Sequence, residues 1–212
     1  MPSSSTSERR PRMRAETVRR REEILRAAMV TFGSRGYHNG PLAEIAEQVG
    51  MTHAGVLHHF GSKDDLLLEV LRFRDETDVA ELEPQHIPGG LEMFRHLVRT
   101  AFLNAQRAGI VQAYAVLSAE SVTDGHPARE FFEIRYRTLR AEAVEAFEEL
   151  CAERGVEAPA TVRHAAAAIL AVMDGLQVQW LLDPTLVELG EVSEFAIEAI
   201  VTAVVAPGPS PL

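Results

Sequence analysis

Between Pro41 and Lys63 the chain reads PLAEIAEQVGMTHAGVLHHFGSK. Thr52, His53, Ala54, Gly55 and His58 cluster at the start of a short helical pattern, and Lys63 follows just past its end. The chemistry these side chains offer is binding rather than bond-making. A hydroxyl, imidazoles and an ammonium can hydrogen-bond phosphates and base edges. The small residues Ala54 and Gly55 let a backbone come close to a nucleic acid, and a helix N-terminus favours phosphate. Reaction chemistry is poorly provided for. There is no Gly-rich phosphate loop, no HExxH and no paired cysteine motif, so the chain reads as no enzyme and as needing no cofactor. His58 and His59 are adjacent and point about 100° apart on a helix, a poor pair for one ion, so no metal site is expected.

The elements that must position these groups are legible. Leu42, Ile45, Ala46 and Val49 share one face at helical spacing. Gly50 ends that helix where a positive φ is wanted. Thr52 is a good N-cap, its hydroxyl placed to accept the N–H of Gly55. Val56 and Phe60 then pack back on the first helix. Two short helices joined by a tight turn form a helix-turn-helix, whose second helix, here 53–60, enters the DNA major groove. An ordinary helical hairpin in a core has the same local pattern, so charge must discriminate. Residues 1–74 hold 12 Lys+Arg against 9 Asp+Glu, whereas residues 75–212 hold 9 against 22. A basic module on an acidic body points to nucleic acid. The first sixteen residues, polar and Ser- and Pro-rich, read as a disordered arm. Its Arg9, Arg10, Arg12 and Arg14 could follow phosphates or enter the minor groove. They contain no apolar signal-peptide core.

Residues 17–70 resemble the DNA-binding domain of TetR-family transcriptional regulators. The resemblance rests on Arg20-Arg21 ahead of Ile24-Leu25-Arg26-Ala27-Ala28, then Phe32, Gly36-Tyr37, Ile45-Ala46, Gly50-Met51-Thr52, His59-Phe60, Ser62-Lys63 and Leu66. It implies an all-α homodimer with a three-helix head binding a palindromic operator in double-stranded DNA. A larger helical domain would dimerise and bind a small-molecule effector. It also implies DNA contacts at Thr52–Gly55 and His58, and a phosphate contact at Lys63. Repression is the family's usual mode. The chain departs from the family pattern at Leu57, where a tyrosine is usual, and at Gly40-Pro41, where a threonine is common. Both changes remove phosphate contacts.

The remaining periodicity predicts helices over 17–35 (ending at Gly36), 63–83 (capped by Ser62), 90–107, 110–120, 127–154, 160–182 and 188–205, with a connector over 84–90. The domain division expected is an arm 1–16, a head 17–62, a body 63–206 and a tail 207–212. Ile169, Val172, Leu176 and Trp180, with Phe195, Ile197, Ile200 and Val201, suggest that the last two helices form a dimer interface. Phe94, Leu97, Phe102, Tyr114, Leu117, Phe131, Tyr136, Met173, Gln177 and Trp180 are candidates for an effector pocket, with most pocket walls apolar and a few polar groups to orient a ligand. The alternative is a body that takes a protein partner, which an exposed apolar patch over a solid core would favour. The single Cys151 fits a reducing cytoplasm. No apolar run is read as a membrane span, the longest tempting piece being Ala165–Met173.

Overall fold

A computed structural model describes residues 9–80, 89–157 and 160–206. All of the regular structure among them is helical. In chain order the helices are α1 (Arg9–Asn39), α2 (Leu42–Gln48), α3 (His53–Phe60), α4 (Lys63–Ala80), α5 (Gly90–Asn104), α6 (Ala108–Glu120), α7 (Arg129–Glu153), α8 (Val162–Leu182) and α9 (Leu189–Val205). The predicted order holds throughout, with ends shifted by a few residues. Gly109, between the helices predicted over 90–107 and 110–120, lies in the first turn of α6; the turn falls at Ala105–Arg107 instead. The tail over 207–212 and most of the connector fall outside the described residues.

One difference lies at the N-terminus. Helix α1 begins at Arg9, so residues 9–16 of the expected arm, with Arg9, Arg10, Arg12 and Arg14, are helical backbone, while residues 1–8 fall outside the described residues. Arg, Met, Ala and Glu are good helix formers, and Pro11 is tolerated in a first turn. The helix breaks where the sequence says it should. Gly36 sits at φ 74° and ψ 171°, a region almost restricted to glycine.

The head is built on α1. Ile24, Ala28 and Phe32 have no exposed surface, and Ile45, Val56, Leu66 and Leu67 are buried against them. This core does not stop at the head. Tyr114 and Leu117 of α6 and Phe132 of α7 belong to the same cluster. Where α1 crosses α6, Gly33 lies so close to Ala113 that a Cβ would stand 3.0 Å from the Ala113 Cα. A second core, formed by α5, α7, α8 and α9, is centred on Phe147, Ile169, Ile197 and Leu150.

Helix α8 corrects one expectation. At 21 residues it is long and apolar enough to cross a membrane by length and composition. Here it packs on α6, α7 and α9, with Asp174 and Gln177 turned into a cavity. The expected interface residues divide as well. Ile169, Trp180, Ile197 and Val201 are buried within the chain, because α8 and α9 each pack one face on the body. Phe195 is 74% exposed, and Leu182 and Leu186 are about as exposed, with Val178 and Val192 partly so.

Candidate nucleic-acid interface and internal cavity

The N-terminus of α3 is shaped by its cap. The Thr52 hydroxyl accepts the N–H of Gly55 at 3.1 Å, and Gly50 turns the chain at φ 63°. Val56 and Phe60 are buried on the inner side of α3. That leaves Thr52, His53, Ala54 and His58 exposed, with Gly55 partly so. Replacing Thr52 with alanine removes the cap and is expected to cost about 1 kcal/mol of stability. Denaturant unfolding checks this, and an unchanged midpoint would mean the cap carries no weight.

Two arginines of the family motif have structural work that sequence reasoning did not assign. Arg20 donates to the Val49 carbonyl at 3.3 Å. Arg21 donates to the His59 carbonyl, lies 4.3 Å from the Phe60 ring centroid and pairs with Glu69 at 3.2 Å. Together they tie α1 to the ends of α2 and α3. Burial, then the charges of His58, Arg21 and Arg20, hold the His59 imidazole below its ordinary pKa. Among the described residues no group of three metal-ligating side chains lies together.

Lys63 is less free than a phosphate-seeking lysine would be. Its ammonium lies 4.6 Å from the Tyr37 ring centroid and donates to the His38 carbonyl at 3.4 Å. Burial lowers its pKa, opposed by Asp64 and Glu120. Ser62, the predicted cap, accepts the N–H of Asp65 at 3.0 Å.

Behind this surface, Gly36 and Tyr37 meet the body. The Glu120 carboxylate accepts the Tyr37 N–H at 2.7 Å. The Tyr37 hydroxyl donates to Asp64, and burial with that bond pushes its pKa up. His126 is wholly buried beside them. Its Nδ1 accepts the Ala128 N–H at 3.2 Å, and its ring meets Tyr37 edge-on at 5.3 Å. Burial lowers its pKa, more than Glu120 and Asp64 raise it; His38 lowers it further.

The sign of the pH effect follows from that shift. The folded state binds a proton at His126 less readily than the unfolded chain. Its contribution to stability is therefore complete above the unfolded pKa, near 6.5, and lost as pH falls toward the folded value. The melting temperature is expected to drop between about pH 7.5 and about pH 5.5, with a shallower drop in His126→Gln. Equal slopes in the two proteins would remove His126 as a cause.

The body contains a cavity of about 140 Å³ among α4 to α8. Five of the expected pocket residues line it: Leu97, Tyr114, Tyr136, Met173 and Gln177. The other five do not. Phe94 packs in the second core, its ring tilted against that of Phe147 with centroids 4.4 Å apart. Leu117 is in the head's core, with Phe131 packed against that core. Phe102 lies over Gly190, and Trp180 packs with Val111 and Leu189. Aromatic content marks core as readily as pocket, which is why the sequence could not separate them. It missed the polar lining of Arg74, Asp75, His96, Asn104, Arg135 and Asp174. A signal was present: polar residues standing at inward positions of helices α5, α7 and α8. The Tyr136 hydroxyl donates to Asp174 at 2.6 Å. Burial raises the Asp174 pKa, against that hydrogen bond and the charges of Arg135 and Arg74.

A helix-turn-helix head joined by a shared core to a larger helical body is the architecture of a DNA-binding regulator of transcription. Comparison with known proteins agrees. Residues 24–70 match the profile of bacterial regulatory proteins of the tetR family, and residues 91–206 match the C-terminal region of BetI-type transcriptional repressors. The chain belongs to the TetR family of transcriptional regulators.

The regulator BetI of Agrobacterium fabrum is 28% identical over 163 residues, which is 76% of each chain. The repressor AcnR of Corynebacterium jeikeium is 36% identical over 67 residues, a match spanning 32% of this chain and 35% of that protein. These relatives are named as regulators of transcription, not enzymes. Among solved structures, a TetR-family regulator from Agrobacterium tumefaciens superposes with a TM-score of 0.70 at 21% identity, covering 90% of this chain and all of that one. A regulator from Saccharomonospora viridis in complex with choline has a TM-score of 0.66 at 24% identity, over 85% of this chain and 94% of its own. At such identities the likeness is one of fold.

Proposed function

We propose that this protein is a homodimeric repressor that binds a palindromic operator through α3 and leaves it when a small molecule occupies the body. The observation that carries the reading is the outward face of α3. Thr52, His53, Ala54 and His58 stand exposed on a capped helix whose other side is core. Base contacts would come from His53 and Gly55, with Thr52 and His58 on phosphates. Lys63, held on Tyr37, would reach a phosphate only from that position. Arg9, Arg10, Arg12 and Arg14, at the start of α1, would add cationic charge for phosphate contacts. A DNA-bound regulator with one buried cysteine, Cys151, fits the cytoplasm.

Dimerisation is assigned to the outer faces of α8 and α9. Ala167, Ala171, Val178 and Leu182 are exposed along one, and Val192, Phe195, Ala199 and Ala203 along the other. Small residues beside large apolar ones allow close helix packing, and an exposed apolar stripe of this kind marks an interface. The mixed apolar and polar lining of the body's cavity supports a small-molecule effector, and a volume of about 140 Å³, below the few hundred Å³ usual for a ligand pocket, limits it to a compact one.

The test is selection of binding sites from a random duplex pool. An enriched palindrome supports a dimeric sequence-specific regulator. No enrichment from a folded dimer would refute the assignment of α3.

A further inference from the structure

Resting on the effector reading above, we infer that the cavity between α4 and α8 takes a compact carboxylate with an apolar tail, and not a quaternary ammonium. The head of such a ligand would meet Asn104, Arg74 and Arg135.

Asn104 is wholly buried and lines the cavity. Its side-chain oxygen accepts from Arg107 at 2.8 Å, but its Nδ2 has no partner among the described residues. A buried donor left unmade costs about 1–3 kcal/mol, so the site asks for an acceptor atom. Two guanidiniums line the same space. Asp75 bridges them, with one oxygen 3.0 Å from Arg74 and the other 2.5 Å from Arg135. A carboxylate is therefore already held there by this pair, in the charge-assisted geometry a ligand carboxylate would use in its place. The second carboxyl in the lining, Asp174, accepts the Tyr136 hydroxyl. Met93, Leu97, Leu139 and Leu170 supply the apolar wall.

The same geometry excludes a cationic ligand. A quaternary ammonium is recognised on aromatic faces. Tyr114 offers such a face, but Arg74 lies 4.5 Å from its ring centroid and Arg135 5.5 Å. The protein's own cations occupy the position.

The position of the site gives binding a consequence. Arg74 and Asp75 belong to α4, which continues directly from the head, and Arg135 belongs to α7 in the body. A ligand carboxylate that competes with Asp75 for Arg135 loosens the ion pair joining the two.

The test is calorimetric titration of the full chain with hexanoate and benzoate, with hexanamide and benzamide, and with choline. Each titration is paired with operator binding in the presence of the same compound. A carboxylate is expected to bind about 10- to 100-fold more tightly than its amide, the range for hydrogen bonds to charged groups. Arg135→Gln and Asn104→Leu should each weaken it about tenfold or more. Helicity is monitored so that a misfolded variant is recognised, and the amide comparison needs no variant. Binding of choline or an amide with both carboxylates inert overturns the ligand class and leaves the effector reading standing. A carboxylate that binds through Asn104 and Arg135 yet leaves operator affinity unchanged supports the site and overturns the effector reading. No binding by any of the five overturns the inference.

Discussion

Gly36→Ala is expected to lower the melting temperature by roughly 5–24 °C and to weaken operator binding with it. Two causes act together. The backbone at φ 74° and ψ 171° is strained for any residue with a Cβ, at about 1–3 kcal/mol. The added methyl would also stand 2.0 Å from a Glu120 carboxylate oxygen. That carboxylate must then move from the Tyr37 N–H it holds at 2.7 Å, at a further cost of about 1.5–3 kcal/mol for a bond to a charged acceptor. A chain of this size shifts by about 2–4 °C per kcal/mol. Operator affinity should suffer because Tyr37 also carries Lys63 on its ring and Asp64 on its hydroxyl. Head and body thus meet at this turn as well as along the crossing of α1 and α6. Differential scanning calorimetry decides the matter, and a transition within about 1 °C of the parent would mean that this turn does not fix the junction.

Ala54→Glu tests the other end of the head. Ala54 is exposed on α3, one residue past the first helical position. Glutamate is a good helix former, and a negative charge near a helix N-terminus is favourable. Stability should therefore hold or rise slightly. Operator binding should fall by about 100-fold or more, because an anion facing phosphates costs several kcal/mol. The opposite signs of the two effects make the variant informative. Fluorescence anisotropy on an operator duplex measures it, and affinity within threefold of the parent would rule out α3 as the reading helix.

The all-helical fold and the head's local geometry were legible in the residue order because the forces that set them are local. Thr52 caps α3, Ser62 caps α4, Gly36 and Gly50 take positive φ, and each follows from a hydrogen bond or a steric limit within a few residues. The apolar spacing of Ile45, Ala46, Val56 and Phe60 likewise needs only helical periodicity. The family's motif lies in this same stretch.

What tertiary structure alone decided concerns pairs distant in the chain. Glu120 reaching Tyr37, Asp75 reaching Arg135 and Gly33 meeting Ala113 join residues about 60 or more positions apart. No local pattern encodes them, since they depend on how whole helices cross. The same holds for the aromatic residues of the body. Tyr114 and Tyr136 came to line the cavity while Phe94 and Trp180 became core, although all four are large side chains at inward helical positions. Periodicity states which face of a helix is buried. Whether that face meets another side chain or a space is settled only when the neighbouring helices are in place.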